Sequence, residues 1–365
     1  MTFVLKSGKH DRRHTPVFFR VPAKELAEIA GAGALCVKPG GGQRVPATYE
    51  IKDGEAQICF VAPWLAAGET LPIALESCDS APRMTCEKTA IGAVLYMRGG
   101  WFTEYCARPG LAKPYLGPLF EAGGSQITRL DFETREHPHH RSLWISQEAN
   151  GIDFWNEPEG VHGFIRNRSI GDIVVGGAYA AFTANNLWAS HGGEPVMNET
   201  TRYTLYNTPR EAALLDVDIT YTAAYGDVIL NATKEAGPLA ARMAPGLSVS
   251  GGTGTIVSGT GGVNEAETWM RRAPWLDYYG TADTRMCGVA MLDHPDNFGF
   301  PTYWHVRDGG LMAGNNFLRL GAMELGAGES VSWKYRVVVH SGDTNAANIQ
   351  GKFEDFAFPP LVEAI

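Results

Sequence analysis

The chain has 365 residues, is 44% hydrophobic and 19% charged, and carries a formal net charge of −9. That length admits two domains, and the composition is that of a soluble globular protein. The negative balance argues against nucleic acid and anionic membrane surfaces as partners, and every apolar run is far shorter than the roughly 18 residues of a membrane helix.

Residues 1–85 read as a small N-terminal β-rich domain. The segment 22–30 is its helix: Pro22 suits the first helical turn, Leu26, Ile29 and Ala30 share one face, and the glycines at 31 and 33 stop it. Strands are predicted at 34–38, 47–51 and 57–61, with a turn at 39–42 and a linker at 77–84. The six cysteines, Cys36, Cys59, Cys78, Cys86, Cys106 and Cys287, form no C-x-x-C pair. They are expected as free thiols of a cytoplasmic protein, since the N-terminus has no secretory pattern.

Residues 86–365 are predicted to be the large domain that carries the active site. Residues 215–222 and 331–337 alternate apolar and polar side chains without a fault, as half-buried antiparallel strands do. Many such runs between Gly-, Asn- and Pro-rich turns give an all-β fold, a large antiparallel β-sandwich. The glycine-rich run at 248–255 lacks the spacing and the Lys-Ser/Thr ending of a phosphate loop. No nicotinamide or flavin motif occurs, so no dinucleotide cofactor is expected.

Within this domain the stretch 136–144 holds Glu136, His137, His139, His140, Arg141 and Trp144. Histidine exchanges protons near neutral pH, and a packed core has no use for three together. Pro138 marks a bend, and 141–145 is expected to be a strand. Strand alternation puts His139 and Arg141 on one face and His140, Ser142 and Trp144 on the other.

Further segments can extend the same cleft. Asp153 and Trp155 alternate, and His162 follows them. Lys234 and Glu235 form a cation–carboxylate pair before a Gly-Pro breaker, either a surface ion pair or a base with its tuner. Arg272 can bind a substrate oxygen beside a stacking Trp275. Trp304 and His305 complete the set. If a divalent metal binds, His137 and His139 are its first ligands, although His139 and His140 diverge on a strand.

Six motifs in this order, from His137-Pro138-His139-His140-Arg141 to the segment around Trp304 and His305, resemble the bacterial PmoA-like family of unknown function, formerly labelled methane oxygenase. The resemblance spans roughly residues 90–342. Lys113 stands in place of that family's Arg, and Ser142 and Ala236 in place of Gly. The resemblance implies a carbohydrate substrate, because family members accompany sugar-oxidising dehydrogenases. The segment from Leu325 to Glu329 and the strand after it are also similar to galactose-mutarotase-like supersandwich proteins, so a supersandwich-like fold is implied.

Three functions follow for a small sugar or glycoside ligand. One is cleavage of a glycosidic bond, with His139 or His140 as acid and Glu235 or Asp153 as partner. In its lyase form a histidine removes the C2 proton of a 3-keto glycoside, and Arg141, Lys234 or a metal stabilises the enolate. The others are a mutarotase or epimerase, and a non-catalytic sugar-binding module. The sequence leaves a homo-oligomer open.

Overall fold

The computed structural model describes residues 3–30, 33–79, 84–130 and 136–365. Strand accounts for 54% of the chain and helix for 8%, so sheet ladders satisfy most of the backbone and the fold is all-β. No helix among the described residues is long and apolar enough to cross a membrane.

The first sheet has the order Arg12–Pro22, Glu55–Leu65, Val45–Lys52, Ala34–Pro39, Thr70–Cys78, Phe3–Lys6 and Leu361–Ala364, a barrel-like arrangement that recruits the last strand of the chain. Its interior is filled by Val17, Phe19, Leu35, Val37, Ile58, Phe60 and Ile73, and the predicted helix, observed at Ala23–Ala30, caps it through Leu26. Residues 31–32 of the glycine stop and residues 80–83 of the expected 77–84 linker lie outside the described residues.

One expectation fails here. Cys36 and Cys78 are joined in a disulfide, because pairing of Ala34–Pro39 with Thr70–Cys78 brings their Cα atoms to 6.0 Å. Only Cys59, Cys86, Cys106 and Cys287 are free thiols. The bond closes a sequence separation of 42 residues. Cys36→Ser is therefore expected to lower unfolding free energy by about 2–4 kcal/mol, measured by denaturant titration; an unchanged midpoint would mean the cross-link contributes nothing.

Two eight-stranded sheets form the large β-sandwich. One runs Phe164–Val175, Tyr179–Ala189, Pro195–Tyr206, Ala212–Thr222, Ser330–Ser341, Arg285–Asp293, Trp275–Ala282, Thr255–Ser258. The other runs Trp304–Arg307, Leu311–Gly314, Gly237–Arg242, Leu143–Ser146, Tyr115–Leu116, Gly100–Cys106, Gly92–Met97, Met84–Thr89. Their facing sides share one core that includes Leu143, Ile145, Leu239, Trp304, Met312, Phe182, Leu215 and Tyr335.

Period-two alternation then fixes what each sheet shows outward. The outer side of the first sheet packs Tyr179, Trp275, Leu292 and Val338 against Cys59 and Val61 of the N-terminal unit and Ile349 and Phe353 of the helix Ile349–Ala357. The outer side of the second carries Trp144, Ala240, Leu311 and Ala313, with Trp155 laid over them. The histidine stretch belongs to this second outer side, across the sandwich from the N-terminal unit.

Candidate active site

The expected strand at 141–145 begins later, at Leu143, and residues 137–140 form a turn closed by the His140 amide donating to the His137 carbonyl at 3.1 Å. His137 and Ser142 both take positive φ, 50° and 48°. The bend at Pro138 and the left-handed residue at 142 break the simple alternation. Ser142 turns inward, where its hydroxyl meets that of Thr128 at 2.8 Å, and Gly117 is needed opposite, since a Cβ there would stand 2.1 Å from the serine Oγ.

The result is a stack of rings on the sheet. His140 lies parallel to Trp144 with centroids 4.9 Å apart, and His137 stacks on His140 at 5.0 Å. Trp155 meets both Trp144 and His140 edge-on, and His305 stacks on Trp155 at 6.3 Å. Trp144 and Trp155 are fully buried. They support the imidazoles from beneath and offer no face for a sugar, so the substrate-binding role expected of both does not follow from their placement.

Above this floor a cleft of about 270 Å³ is lined by Glu136, His137, His140, Lys234, Glu235, Arg242, His305 and Arg307, among others. Arg242 ends the strand Gly237–Arg242 and His305 lies in Trp304–Arg307. Neighbouring Trp304 faces the core, its indole N–H donating to the Ala273 carbonyl at 2.9 Å, so of that predicted pair only His305 reaches the cleft. Lys234 Nζ pairs with Glu235 at 2.7 Å at the partly exposed rim.

The electrostatics divide the carboxylates. Burial alone pushes Glu136 up, but hydrogen bonds from Arg129 (2.7 Å) and Arg242 (2.9 and 2.7 Å) bring its pKa down to about 2. Glu157, not anticipated as a site residue, accepts from Arg141 at 2.9 and 3.1 Å and from the buried Lys113 at 2.7 Å; against the upward push of burial these cations bring it to about 2. Burial lowers Lys113 to about 8, opposed by Glu157. Arg141 thus anchors the turn through Glu157. Both carboxylates are fixed anions, unsuited to donating a proton.

The imidazoles are held neutral. Burial drives His140 far below its ordinary value, His139 to about 3 and His305 to about 4, with Glu235 the chief opposing charge on His305. His139 meets His140 edge-on at 4.4 Å and feels Lys113 and Glu157, so it backs the cleft wall without lining it. Nε2 of His139, Nε2 of His140 and Nδ1 of His305 are buried with no hydrogen-bond partner among the described residues. Such groups are uncommon in folded proteins.

These shifts set an acid sensitivity. A histidine whose folded pKa lies below 6.5 binds fewer protons folded than unfolded, so its contribution is complete above pH 6.5 and declines as pH falls toward the folded value. The buried carboxyls of Asp218 and Asp293, raised to about 6 and about 7, act in the opposite sense. The histidine effect is therefore read by comparison. The Tm of His305→Asn is expected to fall less between pH 7 and pH 5 than that of the parent, by stepwise melting curves; an equal fall would contradict neutral burial of His305.

Several expected site residues are elsewhere. Asp153 caps a turn, accepting from the Trp155 and Asn156 amides at 2.7 and 2.9 Å, and does not line the cleft. His162 binds the Pro158 carbonyl at 2.7 Å beside Phe164 and His191. Arg272 holds the carbonyls of Gly299, Phe300 and Pro301. Trp275 lies on the outer side of the opposite sheet, bonded to Gln350. Among the described residues no three His, Cys, Asp or Glu side chains group as metal ligands; the rings of His137 and His139 are 5.7 Å apart, and His137 Nδ1 contacts the Glu136 carboxylate. Arg129 and Arg242 escaped sequence reasoning because their role depends on strand pairing: Arg129 N donates to the Arg242 carbonyl, and Arg242 N to that of Ser142.

No curated protein matches the chain. Among solved structures, the alpha-galactosidase from Lactobacillus brevis aligns with a TM-score of 0.36 at 10% identity, over 76% of this chain and 42% of that one. A GH36 alpha-galactosidase from Geobacillus stearothermophilus in complex with raffinose aligns at 0.28 and 12%, over 61% of this chain and 29% of that one. The chain spans less than half the length of either. A family model matches residues 93–354, which hold most of the sandwich and the whole histidine cleft, and the chain therefore belongs to DUF6807, a family of unknown function.

Proposed function

We propose that this protein is a carbohydrate-active enzyme that cleaves a glycosidic bond in the histidine cleft. The observation that carries the reading is the joining of His140, His305, Glu235, Lys234 and Arg242 around one hollow from segments up to 165 residues apart in sequence, from His140 to His305. Acid–base catalysis needs a proton acceptor within reach of the substrate and groups that bear developing negative charge.

Direct hydrolysis needs a carboxylic acid that holds its proton near neutral pH. Glu136 is tied to two guanidiniums, which disfavours that role. Elimination needs only a base and a cationic or N–H-rich surround. In a 3-keto glycoside, Glu235 accepts the C2 proton. The C–H electrons pass into the C2–C3 bond, giving an enolate whose oxygen is met by Lys234. Collapse of the enolate forms the C1–C2 double bond and breaks the bond from C1 to the aglycone oxygen, which leaves as an alcohol with the proton that Glu235 accepted. The electron count closes without an oxidant.

The test is aglycone release from a panel of simple glycosides and their 3-keto derivatives, with product analysis. An unsaturated keto sugar marks elimination, and a hydrated sugar marks hydrolysis. No release from any member of the panel overturns the proposal.

A further inference from the structure

We infer that His140 acts as a neutral hydrogen-bond donor through Nε2–H, and that Arg242 is the positioning residue that imposes this state; the ligand group it serves is a carbonyl or enolate oxygen. The geometry is short and one-directional. Arg242 Nη1 lies 3.0 Å from His140 Nδ1. A guanidinium has donors and no acceptor. Nδ1 must therefore accept, and it carries no proton. In a neutral ring the proton is then on Nε2.

The rest of the cluster holds Arg242 in that pose. Its Nη2 donates to both oxygens of Glu136, at 2.9 and 2.7 Å. Arg129 secures the same carboxylate at 2.7 Å and binds the Glu136 and His137 carbonyls at 3.0 and 2.6 Å. Arg242 issues from the strand Gly237–Arg242, and Arg129 is tied to it because its amide donates to the Arg242 carbonyl while the Arg242 amide donates to that of Ser142. The rings around His140 are His137 and His139 of its own turn, Trp144 and Trp155, none of which provides a hydrogen-bond acceptor to Nε2.

Nε2–H is thus a buried donor without a partner, in a residue that lines the cleft. A donor of this kind cannot remove a substrate proton. It can stabilise an oxygen that gains negative charge, as a preorganised donor in a water-poor site does best. A keto sugar supplies such an oxygen at C3, and an unoxidised glycoside does not. On the glycosidic-cleavage reading, the donor gains most from the keto form, where negative charge develops on that oxygen. The identity of the ligand rests on the glycosidic-cleavage reading; the tautomer does not.

Two measurements separate these claims. In ¹⁵N-labelled protein at neutral pH, long-range ¹H–¹⁵N spectra are expected to show His140 with Nε2 protonated and Nδ1 bare, and Arg242→Ala to shift the ring toward the other tautomer. A protonated Nδ1 in the parent protein overturns the inference whatever the substrate is. In turnover of 3-keto glycosides, His140→Ala is expected to lose roughly 10²-fold in kcat/KM, the loss typical for one oxyanion donor, while His140→Gln, whose amide can donate from the same place, recovers most of it. If His140→Gln is as impaired as His140→Ala while its fold is intact, His140 exchanges a proton and the donor role fails. If the parent protein turns over no glycoside, the cleavage reading falls and the spectra still decide the tautomer.

Discussion

Glu235→Gln is expected to lower turnover of a cleavable glycoside by roughly 10²–10⁴-fold, the range that a positioned proton-transfer group supplies, and to leave the fold intact. The two halves of this expectation have separate causes. The carboxylate shares the cleft with His140, His305 and Arg242, so it is positioned to accept a proton from a bound ring. Its effect on stability is small because Glu235 is 30% exposed and its partner Lys234 is 47% exposed. Exposed pairs contribute about 0–1 kcal/mol. The amide keeps the size and loses only the basicity. Initial rates beside a melting curve check both halves; a variant with near-parental turnover removes Glu235 from the chemistry.

The second large effect lies on the opposite side of the sandwich. Asp216 and Arg336 face each other across the paired strands Ala212–Thr222 and Ser330–Ser341. Arg336 donates through Nε and Nη2 to the two carboxylate oxygens at 2.6 and 2.8 Å, and Tyr206 adds a hydroxyl at 2.8 Å. Both ion-pair partners are buried. Removing one partner strands the other charge away from water. Asp216→Ala is expected to cost about 3–5 kcal/mol. Asp218, whose carboxyl is raised to about 6 by burial and then by the Asp216 charge, should titrate lower in the same variant. Denaturant titration measures the first and carbonyl NMR the second. A loss below about 1 kcal/mol would mean the pair behaves like a surface bridge.

Much of the architecture was legible from local pattern. The helix after Pro22 and the strands around Ala47 and Leu215 lie where alternation and breakers put them, because those signals act within a few residues. Parity at a site is harder. Trp304 and His305 are adjacent, so a strand must send one to the core and the other out, and the sequence does not say which until the facing sheet is known. Trp275 failed for the same reason at larger scale: its strand belongs to the other sheet, and its outer side is covered by the N-terminal unit.

The turn at 137–140 was foreseen from Pro138, yet the positive φ of Ser142 was not, and that residue alone left its expected face: it turns inward while His140 and Trp144 stay together outside. Arg242 follows Ala240 with the spacing of an outward face, a usable signal once the histidine stretch is known to sit on the neighbouring strand. Glu157 and Lys113 lie 44 positions apart and meet only through the loop over Trp155. The Cys36–Cys78 bond likewise depends on strand pairing, which composition cannot report.

The most direct test is a crystal structure of the protein soaked with a 3-keto glycoside. The sugar is expected in the cleft between His140, Glu235 and His305, with its keto oxygen toward the His140 ring. A sugar bound only at another surface, with this cleft unchanged, would contradict it.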